Sequence, residues 1–109
     1  MRLRDGNYLY IYNSARCCFP SPKPGYQYQY NLGFVILDGS DPTTILQRSD
    51  QPILSPETAY EKGLSPYLGL TPNVVFCSAM APADSPDKFI IFYGSADSVV
   101  GVATVEVTS

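Results

Sequence analysis

Acidic and aromatic residues beside small ones are the first candidates for chemistry in this 109-residue chain. In Phe92-Tyr93-Gly94-Ser95-Ala96-Asp97 an apolar run ends in three small residues and then an acid. Small residues let a ligand approach the backbone closely. An ionised carboxylate makes the stronger kind of hydrogen bond, and at such an opening it can accept two from a sugar's hydroxyls. Asp97 is therefore a candidate binding residue; the competing reading is an Asp that closes a turn before Ser98. Tyr93 can stack on a sugar face or bond through its hydroxyl, and it equally suits an ordinary strand. Asp38 and Asp41 form an acidic pair of the type inverting glycosidases use, whose acids stand about 6.5–9.5 Å apart. Next to Gly39, Ser40 and Pro42 they read as turn formers, and no chemistry is assigned to them. Arg48 suits an ion pair with Asp41 or Asp50.

Other chemistries are excluded by composition. There is no His, so no Ser-His-Asp or Cys-His pair and no His-bound metal can form. Three Cys cannot supply a four-thiolate zinc site. Cys17 and Cys18 are adjacent, a poor geometry for a mutual disulfide, so three free thiols in a reducing compartment are expected. Net charge is -3. Arg2, Arg4, Arg16 and Lys23 gather before residue 25, and the remainder is acidic, which argues against a nucleic-acid partner. No apolar run is long enough to span a membrane. The first residues lack the apolar core of a signal peptide, so a cytoplasmic location is expected.

The elements that must position these residues are strands. Asn7–Asn13 alternates Tyr8, Tyr10 and Tyr12 with Leu9 and Ile11. Asn31–Leu37, Asn73–Cys77 and Phe89–Tyr93 are apolar on both faces, and Val99–Val107 is rich in β-branched residues. Ser55–Gly63 suits one helical turn, with Pro56 at its first position and Gly63 as its stop. Phe19–Tyr30 combines spaced prolines with a Tyr-Gln alternation. It reads as an extended loop or an aromatic sugar platform, and its end can begin the next strand.

Strands apolar on both faces need cover on both, as stacked sheets provide. An internal repeat narrows the choice. Tyr8-Leu9-Tyr10-Ile11-Tyr12-Asn13-Ser14-Ala15 aligns with Phe89-Ile90-Ile91-Phe92-Tyr93-Gly94-Ser95-Ala96, and each is followed by a strand carrying a glycine, Gly33 or Gly101. The repeat predicts an all-β partial propeller of about two antiparallel blades. Residues 7–54 make the first blade, without its inner strand, and 71–109 the second, within one domain. Two blades cannot close a ring. The chain is then a piece of a larger propeller, or a protomer that completes one as a homo-oligomer.

At this point the chain resembles glycoside hydrolase family 130. The resemblance runs through Leu32–Asp38, Asp41-Pro42, Arg48, Pro52-Ile53-Leu54, Pro56, Tyr60-Glu61, Gly63, Pro72–Phe76 and Phe92–Asp97. It implies the C-terminal portion of a five-bladed propeller that acts on β-mannosides by inverting phosphorolysis or hydrolysis. It implies no metal and no cofactor, with inorganic phosphate as co-substrate of a phosphorolytic parent. It implies that Asp97 contacts sugar and that Tyr60 and Glu61 sit on a loop reaching the channel; a turn with a solvated Glu is the alternative for that pair. The family's catalytic Asp lies upstream of these residues, so no catalytic residue is assigned and the chain alone is expected not to catalyse. A phosphate-binding His of the phosphorylases is replaced by Asn13, and a usual Gly by Ala79. A non-catalytic carbohydrate-binding or self-assembling module is the alternative.

Overall fold

The computed structural model describes residues 1–18, 25–64 and 71–108. Its strands are β1 (Tyr8–Cys17), β2 (Tyr28–Leu37), β3 (Ile45–Arg48), β4 (Val75–Pro82), β5 (Lys88–Ser95) and β6 (Val99–Glu106), with one helical turn, α1 (Ala59–Lys62). They form two three-stranded antiparallel sheets in sequence order, β1-β2-β3 and β4-β5-β6. No helix among the described residues is long and apolar enough to cross a membrane.

One face of each sheet turns inward. Leu9, Ile11, Leu32 and Ile36 from the first sheet join Val75, Phe89, Ile91 and Tyr93 from the second in one apolar cluster. This follows from the period of two along a strand, which puts alternate residues on one face. The opposite faces stay open. Tyr10 is 57% exposed on the first sheet, and Val100 and Val102 are 71% and 61% exposed on the second. The body is thus a plate of 46 × 28 × 18 Å with a radius of gyration of 15.2 Å, above the roughly 13 Å of a compact domain this long.

The repeat is visible in the register. Tyr12 pairs with Gly33 on β2, and Tyr93 pairs with Gly101 on β6. In both sheets the tyrosine ring lies across the glycine, where a Cβ would overlap the ring. An aromatic ring covering a strand glycine restores the packing that the missing side chain removes.

Several expectations change. The first strand runs on to Cys17, and a short strand outside the expected ones, Ile45–Arg48, completes the first sheet. The inner strand of the second sheet begins at Val75, because Asn73 adopts φ 59° just before it. The helical turn starts at Ala59 behind Thr58, not at Pro56, while Gly63 ends it in the left-handed conformation as expected. Cys17 and Cys18 are joined as a disulfide, and only Cys77 is a free thiol. Adjacent side chains of an extended strand point apart, but Cys18 has φ 80°, which brings the two sulfurs to one side. Much of the proline-rich stretch lies outside the described residues. Its end does begin β2, where the Tyr28 and Tyr30 rings stand 6.4 Å apart.

Candidate functional site

The corner that carries the anticipated residues is built from α1 outward. Thr58 caps the helical turn, accepting the Glu61 N–H on its hydroxyl at 3.4 Å. Glu61 answers with Oε1, which accepts the backbone N–H groups of Glu57 at 2.9 Å and Thr58 at 3.1 Å. This capping box satisfies donors that the start of a helix leaves unpaired. The other oxygen, Oε2, accepts the Tyr93 hydroxyl at 2.7 Å. Both side chains are buried, Glu61 to 3% and Tyr93 to 4% exposure. A buried carboxylate survives only when hydrogen bonds replace its lost hydration, and here every bond is supplied by the fold.

Ionisation follows from that arrangement. Burial pushes the Glu61 carboxyl upward, but the bonds from Tyr93 and from the Glu57 and Thr58 backbone outweigh it and hold its pKa below the ordinary value. The Tyr93 hydroxyl is driven far above its ordinary value by burial, by donation to Glu61 and by its bond with Tyr60. Glu61 is therefore anionic at neutral pH and Tyr93 neutral. Tyr60 is half-buried beside them.

The same brace fixes the turn bearing Asp97. The Glu61 carbonyl accepts the Val74 N–H at 3.1 Å, and the Val74 carbonyl accepts the Ala96 N–H at 3.1 Å. Ser98 N–H closes a turn on the Ser95 carbonyl at 3.0 Å. Inside that turn Ala96 and Asp97 hold φ of 50° and 53°, a region costly for Ala and better tolerated by Asp. Ala96 is fully buried, Asp97 is exposed, and the Ser95 hydroxyl is buried without a partner. Glu61, Tyr93 and Tyr60 thus come together as an internal brace, and Asp97, like Glu57, is exposed to solvent at this corner.

The remaining candidates settle into local roles. Asp38 accepts the Ser40 N–H at 2.8 Å and its hydroxyl at 2.7 Å, and Asp41 does the same for Thr43 at 3.2 and 2.6 Å. The Ser40 and Thr43 bonds hold the two carboxyls below their ordinary pKa. They are turn formers, as their neighbours indicated. Arg48 is a correction: it partners neither Asp41 nor Asp50, and its guanidinium lies 5.2 Å over the Tyr12 ring. Hydrogen bonds from Ser49 and then Arg48 pull the Tyr12 hydroxyl below its ordinary pKa. Asn13 ties the sheets together, accepting the Cys77 N–H at 2.9 Å.

A second opening was not anticipated. A polar cleft of about 330 Å³ lies on the outer side of the first sheet, walled by Tyr12, Ser14, Arg16, Ser49, Asp50 and Gln51. The signal for it was present: Tyr12, Ser14 and Arg16 share one face of β1 at a spacing of two, and Ser49-Asp50-Gln51 leaves the end of β3. The described residues contain no cluster of His, Cys, Asp and Glu fit to hold a metal ion.

Known proteins resemble this chain over most of its length. The sequence model of a glycoside hydrolase family, described as beta-1,4-mannooligosaccharide phosphorylase, matches residues 2–109. A 1,2-beta-oligomannan phosphorylase of Thermoanaerobacter sp. (strain X514) is 44% identical over 77 residues, which are 71% of this chain and 24% of that protein. Among solved structures, a member of the GH130 family, in work on glycoside hydrolases that target beta-1,2 mannosidic linkages in Candida mannan, superposes with TM-score 0.67 at 28% identity. The match covers 90% of this chain and 26% of that one. The beta-1,2-mannobiose phosphorylase of Listeria innocua, in complex with beta-1,2-mannobiose, superposes with TM-score 0.62 at 26% identity, over 86% of this chain and 27% of its own. The chain therefore spans about a quarter of the length of these relatives.

Proposed function

The chain belongs to glycoside hydrolase family 130, and from that premise we propose that it supplies the C-terminal, sugar-contacting part of a protein acting on β-mannosides. In a full-length parent the reaction is inverting phosphorolysis or hydrolysis. The general acid is contributed by residues this chain does not contain, so the chain by itself binds without cleaving. Its two sheets are two neighbouring blades of a five-bladed propeller, over residues 7–54 and 71–109. The shared Tyr12–Gly33 and Tyr93–Gly101 pairs support that reading.

The observation that carries the sugar role is the Asp97 turn. An exposed carboxylate stands on a backbone held in a costly conformation and is braced from below by Glu61 and Tyr93. Strain of this kind persists where the surroundings over-determine it, and such sites often serve binding. Asp97 is the residue that meets the sugar hydroxyls. Tyr60, Glu61 and Tyr93 hold its turn in place.

Amide chemical-shift titration with β-1,2-mannobiose and β-1,4-mannobiose tests this. Ala96, Asp97 and Ser98 are expected to shift, and Asp97→Ala is expected to abolish the response while leaving the fold intact. Unmoved turn amides, or unchanged binding in Asp97→Ala, would remove the sugar role. Mannose 1-phosphate released by the purified chain from mannobiose and phosphate would overturn the fragment reading.

A further inference from the structure

Cys17 and Cys18 are neighbours in the chain, bonded to each other and exposed, and no part of the sugar reading uses them. A disulfide that staples a fold does so by closing a loop of the unfolded chain, and its effect grows with the length of that loop. Between neighbours there is no such loop to close. This bond acts instead on the local backbone.

What it fixes is one dihedral angle. Consecutive side chains of a strand point to opposite faces, so two adjacent cysteines can join only if one of them leaves the extended conformation. Cys18 has left it, at φ 80°, in a region costly for a residue with a Cβ. Its N–H still donates to the Gln27 carbonyl at 2.8 Å, in line with the pairing of Cys17 and Tyr28. The ladder is thus ready to run one residue further, and β1 ends at Cys17 because the disulfide turns Cys18 out of the strand. The segment opposite is tied into the fold. The Tyr30 N–H donates to the Asn73 carbonyl at 2.9 Å, and the next carbonyl, that of Val74, holds the Ala96 N–H. A change at Cys18 is therefore delivered to the first residues of β2, which are bonded to the segment that supports the Ala96–Asp97 turn.

We propose that Cys17 and Cys18 form a reversible redox switch that sets where β1 ends. In the oxidised state the S–S bond holds Cys18 in the left-handed region. The reductant is a dithiol. One of its thiolates attacks a cysteine sulfur, the S–S bond breaks and a mixed disulfide forms; its second thiol then displaces the cysteine. The two cysteines gain two electrons and two protons, and the dithiol becomes a disulfide. Cys18 relaxes to the extended conformation, pairs fully with Gln27 and lengthens β1. Both cysteines are exposed, and exposed disulfides are the labile, regulatory kind. The switch rests on the backbone of the β1–β2 hairpin and not on the mannoside reading, so either can fail alone.

The test compares the purified chain with and without dithiothreitol. Alkylation in denaturant followed by intact-mass measurement is expected to label Cys77 alone in the oxidised chain and all three cysteines in the reduced one. Replacing the reductant by oxidised glutathione is expected to restore the first pattern. In amide spectra Cys18, Gln27 and Tyr28 are expected to shift on reduction, and the strong contact between the Cys18 amide and its own Hα, a mark of positive φ, is expected to weaken. Cys18→Ser is expected to give the reduced pattern at Gln27 and Tyr28 whether or not dithiothreitol is present, with Cys17→Ser as the second variant should the first not fold. Cys77→Ser is expected to keep the full response. Three labelled cysteines after oxidised glutathione overturn the proposal. So does a bond from either cysteine to Cys77, or a reduction that leaves the Cys18 amide–Hα contact and the Gln27 amide unchanged.

Discussion

Tyr12 and Tyr93 occupy equivalent places in the two sheets, each laid across a glycine of the next strand, yet they have opposite fates. Tyr93 faces the interior, donates a hydrogen bond to the Glu61 carboxylate and is held neutral. Tyr12 faces outward, takes hydrogen bonds from Ser49 and Arg48, and ionises more readily than a free tyrosine. The local motif is the same in both; what differs is whether another sheet covers it. A strand pattern positions a side chain, and the layer above it determines the chemistry that side chain can do.

The largest test of this contrast is Glu61→Ala. It strands the Tyr93 hydroxyl in a buried setting and removes the acceptor of two partly buried backbone N–H groups; a lost bond to a charged acceptor is worth about 1.5–3 kcal/mol. We expect a loss of about 3 kcal/mol or more in urea unfolding. In the first sheet Ser49→Ala removes a half-buried hydroxyl that bonds Tyr12 and accepts the Phe34 N–H at 3.1 Å, so a smaller cost of about 1 kcal/mol is expected. A small effect of Glu61→Ala would show that the brace is dispensable.

The paired glycines come next. Gly101→Ala forces a methyl group against the buried Tyr93 ring, which cannot leave without breaking its bond to Glu61. Overpacking of this kind costs about 1–3 kcal/mol. Gly33→Ala meets Tyr12, whose ring is only partly covered and can swing aside, so a smaller loss is expected. Equal losses by thermal melting would erase the distinction between the sheets. Tyr93→Phe is smaller again, at about 1–2 kcal/mol for a buried acceptor left short of one donor, and Tyr12→Phe is expected to be near neutral.

The smallest expected effects lie at the extremes of pH. Glu61 has a depressed pKa in the fold, so its contribution is full above the ordinary value of 4.5 and is lost as pH falls below it. Tyr93 has a raised pKa, so its contribution is full below 10.0 and is lost as pH rises further. Tyr12, whose pKa is lowered, works in the opposite sense in alkali. Ultraviolet titration of Tyr12→Phe and Tyr93→Phe separates them: the early-ionising tyrosine disappears from the first variant, and the resistant one from the second.

Much of the architecture was legible before any coordinates. Alternating and β-branched runs marked the strands, because a period of two is imposed by the extended backbone itself. The turns at Asp38 and Asp41 and the stop at Gly63 were legible for the same reason: each is settled by bonds or dihedral angles within a few residues. The Tyr-then-Gly repeat also survived into the register of both sheets.

What tertiary structure alone decided are contacts between residues far apart in the chain. Glu61 read as a candidate sugar-binding residue, with a solvated turn residue as the alternative, and the fold makes it the buried acceptor for Tyr93, 32 positions away. Asn13 reached the backbone of Cys77 across 64 positions, and Arg48 chose an aromatic ring over the nearby acids. Such choices depend on which groups lose their water when the sheets stack, and no local pattern encodes that. The sequence by itself determined strands, turns and the family. Which of its acids is buried in a brace and which faces solvent was determined by the packing of one sheet on the other.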